Sequence, residues 1–303
     1  MSNRPDIYLE SPDALSSLLT RLELTAEVYV NGDFCGAWAV DTSGSRRIPF
    51  HLIGRGQAWL HMEGEPERCL SPGDLVVFPH DSQHILSHSA DLPIPEQVNA
   101  ELQQDEGPIT RLICGFFEFR SPALWPLLDA LAAVIVLDLS DMSSMPSARA
   151  IIDMMVSELN QEKPGHYAVV NQLAVLLFVE VIRHQITSGQ VKHGLLAALF
   201  DKHVGKALNR IHHQPEIPWT LASLANEAAL GRSTFAQRFT SMVGVSAMQY
   251  LTSWRMAEAT RMLQTTTLSM LSIAEKSGYE SEAAFRKAYR QKTGKTPGSV
   301  RKG

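Results

Sequence analysis

Two stretches near the C-terminus carry side chains suited to reading bases. Ser233, Thr234, Gln237 and Arg238 surround Phe235 and Phe239, an aromatic pair four residues apart. Glu282, Arg286, Lys287 and Arg290 surround a second such pair, Phe285 and Tyr289. Spacing of four puts each pair on one face of a helix and turns the polar residues outward. An α-helix fits the major groove of B-DNA, where every base pair shows a distinct donor and acceptor pattern. Glutamine suits adenine, Glu282 can accept from cytosine N4, and Arg286 can fork to guanine. Arg232, Lys292 and Lys295 suit phosphates, contacts that position a protein without specifying a sequence.

A second set lies in the front half. His51, His80, His84 and Cys114 offer imidazoles and a thiolate, ligands that suit zinc. The alternative is that these histidines sit at strand ends and are satisfied by backbone carbonyls. His51, Trp59, His84 and Cys114 are also candidates to line an effector pocket. Cysteines at 35, 69 and 114 are odd in number, make no disulfide framework and fit a reducing cytosol.

The reading stretches need helices to hold them. Thr220 is an N-cap for Leu221–Ala229, Leu230-Gly231 makes a turn with glycine supplying any positive φ, and Arg232–Met242 follows. An amphipathic helix over Met248–Leu263 leads to a second unit: Ser272–Ser277, a stop at Gly278, a cap at Ser281 and a helix over Glu282–Lys292. Phe235 and Phe285 are 50 positions apart, so a helix-turn-helix unit is repeated. Another helix, Phe200–His212, precedes both.

The front half reads as β, then α. Short runs rich in aromatic and β-branched residues occur at 26–30, 36–40, 49–53, 57–62 and 75–78, and Thr110–Phe119 is the longest. Close spacing with Gly/Pro turns argues for a small barrel or sandwich. Residues 91–107 form a surface loop. Pro122–Leu137 reads as one or two apolar helices, Ser147–Glu162 as an amphipathic helix, and His166–Gln185 as a helix apolar nearly all round that is buried or paired with a partner.

Composition sets the frame. The chain has 303 residues, 45% hydrophobic and 19% charged, which fits two globular domains and excludes wholesale disorder. The net charge of −5 conceals an imbalance. Residues 194–303 hold 15 basic and 7 acidic residues, a net of +8; residues 1–193 hold 12 and 25, a net of −13. The basic part can face nucleic acid. The N-terminus has no apolar signal region, and the most apolar stretch, 168–182, is short for a bilayer span. No membrane association is expected.

Gly278-Tyr-Glu-Ser-Glu-Ala-Ala-Phe285 with Gly294-Lys-Thr-Pro297, and Leu224-Ala225, Ser233-Thr-Phe235, Arg238-Phe239 and Gly244-Val-Ser246 before them, resemble the DNA-binding part of the AraC/XylS family. Two positions depart from it: Gly231 replaces a frequent serine-type cap, and Ser269 a common proline. In the front half, Pro49–Ile53, Leu70–His84 and Ile113–Phe119 resemble that family's cupin-type sensor domain. The resemblance implies a two-domain protein: a cupin-like β-barrel with an α-helical dimerisation segment at 1–190, a linker at 191–199, and an all-α domain with two helix-turn-helix units at 200–303. It places Ser233 and Gln237 where the family reads base edges. It implies a cytoplasmic homodimer on a double-stranded DNA operator, no enzyme activity and no resident cofactor. A small-molecule effector, a metal or redox signal, and RNA polymerase are further partners compatible with it. Cys35 and Cys114 are similar to cysteines of such domains, as a thiol switch or as buried structural residues. The alternative is a cupin-type metal-dependent enzyme with a basic nucleic-acid-binding tail. Catalytic cupins need His-x-His with a downstream Glu and a further His. Here Leu52-Ile53 follow His51 and Gln57 stands in the glutamate's place, so a metal-dependent oxygenase is rejected and no metal ligand set is assigned.

The sorting into base readers and phosphate contacts is measurable. Gln237→Ala or Arg286→Ala is expected to cost about 1–3 kcal/mol on a preferred duplex and to relax preference at one position. Lys295→Ala is expected to weaken preferred and shuffled duplexes alike and to flatten the salt dependence. Binding titrations of both duplexes across salt check this, and a specificity change in Lys295→Ala alone reverses the sorting.

Overall fold

The computed structural model describes residues 15–16, 24–100, 107–119, 128–139, 145–161 and 163–301. They fall into two compact units. One holds residues 24–119 and 131–190; the other holds 191–301 with the described residues 15–16 and 128–130.

The first unit is a two-sheet β-structure backed by helices. Its strands are β1 (Leu24–Phe34), β2 (Ala39–Val40), β3 (Ile48–Arg55), β4 (Ala58–His61), β5 (Arg68–Leu70), β6 (Asp74–Val77), β7 (Ile85–Ser87), β8 (Thr110–Phe119) and β9 (Ile135–Asp138). One sheet runs β1-β8-β3-β6-β9, the other β2-β7-β4-β5, with every neighbouring pair antiparallel. Alternation along the strands decides what lies between the sheets. Ile53, Val76, Leu112 and Cys114 of the larger sheet meet Ala58, Leu60, Leu70 and Leu86 of the smaller one, with Phe34, Trp38 and Phe78 completing the cluster. The alternate residues of β3 and β8 face away: Phe50 stacks on Phe117, and Phe117 packs on Phe178 of a helix.

That helix is α2 (His166–Thr187), which follows α1 (Pro146–Gln161). α2 is the one described helix long and apolar enough to cross a membrane. Val170, Leu173, Leu177, Phe178 and Val181 are buried on it, while Tyr167, Val169 and Leu176 are exposed. A register break between Val28 and Val30 in β1 coincides with a hydrogen bond from the Val28 N–H to Asn171 Oδ1, 3.0 Å away. A polar residue in an otherwise apolar helix thus satisfies a strand donor at a bulge.

The expected helix over Pro122–Leu137 is corrected in part: Ile135–Asp138 is β9, paired with β6, and residues 122–127 lie outside the described residues. A short apolar run has no period to separate strand from helix, and only the free edge of β6 decides it. β1, at eleven residues, is also one longer than β8.

The second unit contains α3 (Gly194–Phe200), α4 (Val204–His213), α5 (Leu221–Glu227), α6 (Arg232–Val243), α7 (Ala247–Thr265), α8 (Met270–Lys276), α9 (Glu282–Thr293) and α10 (Pro297–Arg301). Two expectations change. The stretch read as a linker over 191–199 contains α3, whose Leu195, Leu196, Ala198 and Leu199 are buried. The helix read from Phe200 onward breaks at Asp201–His203, where the Asp201 carboxylate accepts from the N–H groups of His203 and Val204 and starts α4 afresh.

Gly115 in β8 supplies a stability test. A Cβ there would lie 2.4 Å from the Phe50 ring and 2.6 Å from the Glu27 carbonyl oxygen, so strand and ring would both have to move. Gly115→Ala is expected to destabilise the first unit by about 1–3 kcal/mol through overpacking. Denaturant unfolding followed by tryptophan fluorescence checks this; an unchanged midpoint refutes it.

Candidate DNA interface and buried histidine cluster

The two reading helices are anchored alike. Phe235 and Phe239 are fully buried under α6, as are Phe285 and Tyr289 under α9. Tyr289 is fixed further by a 2.6 Å hydrogen bond between its hydroxyl and that of Thr260 on α7. Both helices end in left-handed glycines, Gly244 (φ 81°) and Gly294 (φ 71°), again 50 residues apart. The apolar pairs leave Arg232, Ser233, Thr234, Gln237 and Arg238 exposed on α6, and Arg286, Lys287 and Arg290 exposed on α9, with Glu282 half-buried and Lys295 exposed just beyond.

The helix starts differ. Ser281 Oγ accepts from the Ala284 N–H at 3.2 Å and caps α9. Ser269 likewise caps α8 through the Ser272 N–H at 3.1 Å. Gly231 is the N-cap of α6 without a side chain to bond it, and its φ is −64°. The positive φ expected at Gly231 falls instead on Ala229, at 51°. The turn therefore reverses two residues earlier than the glycine suggests.

Two arginines of the set are already engaged. Arg286 bonds Glu282 at 2.7 Å one turn back on its own helix, with both side chains more than 40% exposed. Arg238 forks onto Asp201, Nε at 3.2 Å and the terminal nitrogen at 2.5 Å. Burial raises the Asp201 pKa, but the bonds from Arg238 and from the Val204 and His203 N–H groups outweigh it and hold the carboxyl at about 2. Asp201 was not singled out from the sequence. Its signal was there: an N-cap residue interrupting the apolar face of an expected helix.

In the first unit, His51 and His84 come together and His80 does not. His51 Nε2 and His84 Nε2 are 3.1 Å apart, and Thr42 Oγ1 lies 3.1 Å from the first and 3.0 Å from the second. His84 Nδ1 donates to the Ser82 carbonyl at 2.7 Å, which leaves Nε2 as its acceptor. Among the described residues His51 Nδ1 has no hydrogen-bond partner. His80 bonds the Leu131 carbonyl at 3.0 Å, the backbone-satisfied alternative. Cys114 lies directly opposite His51 across the β3–β8 ladder, so the two side chains share the face between the sheets. Trp59 alternates with Ala58 and Leu60 of the inner cluster and therefore lies on the other face of its sheet. Thr42, in the loop after β2, is the member of this cluster that sequence reading missed; no pattern marks a loop threonine for that position.

Burial governs the chemistry of this cluster. It lowers the His51 pKa to about 3, with His84 adding to the effect. It lowers His84 as well, against the Ser82 bond and the charges of Asp41 and Asp81. It pushes the Cys114 thiol up to about 12, so that sulfur is a thiol and a poor nucleophile. Among the described residues no group of three or more His, Cys, Asp or Glu is placed to hold a metal ion.

Basic reading helices on buried aromatic anchors, in a chain that also carries a two-sheet β-unit, define a DNA-binding regulator with a sensor-type domain. Comparison with known proteins agrees. A cupin family model matches residues 13–187 and a helix-turn-helix domain model matches residues 224–303. A putative AraC-like transcription regulator of Streptomyces lividans is 31% identical over 96% of this chain and 97% of its own. An uncharacterised helix-turn-helix-type regulator of Haemophilus influenzae is 29% identical over 96% and 98%. The RCS-specific helix-turn-helix-type transcriptional activator RclR of Escherichia coli is 27% identical over 84% of each. Among solved structures, the DNA-binding domain of AdpA in complex with a target DNA is similar to 34% of this chain and 91% of that one, at 29% identity and a TM-score of 0.32. ToxT of Vibrio cholerae is similar over 91% and 94%, at 12% identity and a TM-score of 0.35. The chain belongs to the AraC-type transcription regulators with an N-terminal cupin domain. It is a DNA-binding transcription regulator.

The buried histidine yields a pH test. His51 is neutral in the fold with its pKa below the unfolded value of about 6.5. As pH falls below that value the unfolded chain takes up the proton first. Its stability contribution is therefore complete above about pH 6.5 and is lost as pH falls toward 3. The first unit is expected to lose about 2 kcal/mol from this group between pH 7 and 5. His51→Gln is expected to show a correspondingly shallower slope in urea midpoint against pH; equal slopes in both proteins refute the assignment.

Proposed function

We propose that the regulator reads DNA with α6 and α9 in successive major grooves, about 34 Å apart on one face of the duplex. Ser233, Thr234 and Gln237 of the first helix, and Glu282, Arg286, Lys287 and Arg290 of the second, are the base-facing set. Arg232 and Lys295 hold phosphates. The observation that supports this is the repeated anchoring: two exposed polar faces 50 residues apart, each turned outward by an aromatic pair.

The first unit is read as the sensing and pairing half. The buried polar cluster between its sheets, His51 and His84 with Cys114 beside them, is read as the place where a small effector is recognised. That effector acts by binding one arrangement of the regulator more tightly than another. Pairing of two copies uses α2, where Val169 and Leu176 are exposed and seven residues apart, hence on one face. A homodimer places four reading helices on an operator in the cytoplasm, where RNA polymerase is the partner on which regulation acts.

Leu173 is buried within the unit, so its replacement tests folding; Leu176, 52% exposed, tests pairing. In sedimentation the full chain is expected to be a dimer and Leu176→Asp a monomer. In footprinting, each subunit is expected to protect two major-groove segments about one turn apart. A dimer that persists in Leu176→Asp removes α2 from the interface. A single protected segment, unaltered by Arg286→Ala, removes α9 from the reading set.

A further inference from the structure

The corner Asp201–Gly205 ties α3 and α4 to both helices of the first helix-turn-helix unit. Asp201 forks onto Arg238 of α6 while its carboxylate also accepts from the His203 N–H at 3.0 Å and the Val204 N–H at 2.8 Å. His203 Nδ1 bonds the Ala228 carbonyl at the end of α5, at 2.8 Å. Gly205 has no space for a side chain: a Cβ would lie 2.5 Å from the Leu199 carbonyl oxygen of α3. The corner is therefore held on three sides, and one of them is the reading helix itself.

The position of Arg238 on α6 fits this. At about 100° per residue, Gln237 lies nearly opposite the buried Phe239, whereas Arg238 lies on the flank between them. Its side chain is 45% exposed, but the guanidinium points back to a carboxylate that is only 9% exposed. A bidentate arginine–carboxylate pair of this kind is directional and has one partner nearly withdrawn from solvent. The second unit lacks it: aligning Phe235 with Phe285 puts Ala288 where Arg238 stands. Arg286 there is paired only with an exposed Glu282 on its own helix, an association of little strength.

We infer that Asp201 is a specificity-determining positioning residue: it clamps Arg238 to the α3–α4 corner, withdraws that cation from the DNA, and leaves Ser233 and Gln237 to read bases from a helix held at a set angle. This deepens the proposed reading of DNA by α6 and rests on it. It also takes Arg238 out of the base-facing set to which its outward position assigns it. Its consequence is asymmetric recognition. The first reading helix carries this additional clamp before DNA arrives, and at the matching position the second has Ala288 in its place.

The test uses the full chain, a duplex selected by that chain from a random-sequence pool, and a shuffled duplex of the same composition. Asp201→Asn retains a side-chain oxygen for the helix cap and so preserves the fold, but it releases Arg238. The released cation is expected to find a phosphate. Binding to the shuffled duplex should then steepen by about one unit in the slope of log K against log salt, worth about threefold in affinity between 50 and 200 mM. The ratio of selected to shuffled affinity should fall. Arg238→Met, which keeps the apolar stem, should leave the slope unchanged in the otherwise wild-type chain and cancel the extra slope in Asp201→Asn. Two results overturn the inference: a slope that falls by one in Arg238→Met alone, which makes Arg238 a phosphate contact, or an unaltered slope and ratio in Asp201→Asn. Absence of any preference for the selected duplex in the wild-type chain would instead overturn the reading of DNA by α6 and α9.

Discussion

The burial of an aromatic pair four residues apart is the constraint on which the DNA-binding half depends. Phe235 with Phe239 and Phe285 with Tyr289 must leave water, and a helix can bury only one face against its neighbour. Once that face is committed, the residues between the aromatics are turned outward without a separate instruction. The outward polar face of each helix is thus a by-product of core packing. The left-handed glycines after each helix and the helix caps before them adjust where the exposed face begins and ends.

The first unit follows the same economy with a period of two. Alternation along β3 and β8 sends Phe50 and Phe117 toward α2 and sends His51 and Cys114 between the sheets. The helices outside and the histidine cluster inside are therefore two sides of one strand pattern. Water is largely excluded from between the sheets, and that exclusion keeps the imidazoles neutral and the thiol protonated.

The two halves differ in what sets their electrostatics. On the DNA-binding side most cations keep their contact with water, so their effect is long-ranged and salt-sensitive. Charges withdrawn from water are paired: the Asp201 carboxylate with Arg238 and two backbone N–H groups, Glu258 with Arg261, and the half-buried Arg255 with the Pro215 and Ile217 carbonyls. A charge so engaged no longer contributes freely to the field around the unit.

Much of this was written in periodicity. Caps, left-handed stops and the i, i+4 aromatics are local features, so the order of helices from Thr220 onward, the 50-residue repeat and the outward residues were legible without coordinates. The order of strands, then helices, in the front half was legible for the same reason. Other features depend on partners distant in sequence. Ile135–Asp138 is a strand because β6 offers a free edge. His51 meets His84 and Thr42, and His80 does not, because three separate segments converge where no spacing rule reaches. Trp59 faces away from His51 and Cys114 because of pairing register, which one residue of slip would reverse. Arg238 has the sequence pattern of one more exposed cation, yet Asp201, 37 positions earlier, holds it. Caps, stops and outward faces are written in the chain, since they follow from interactions within a few residues. Which charges remain free is settled in three dimensions, because an ion pair is a property of two places in the chain.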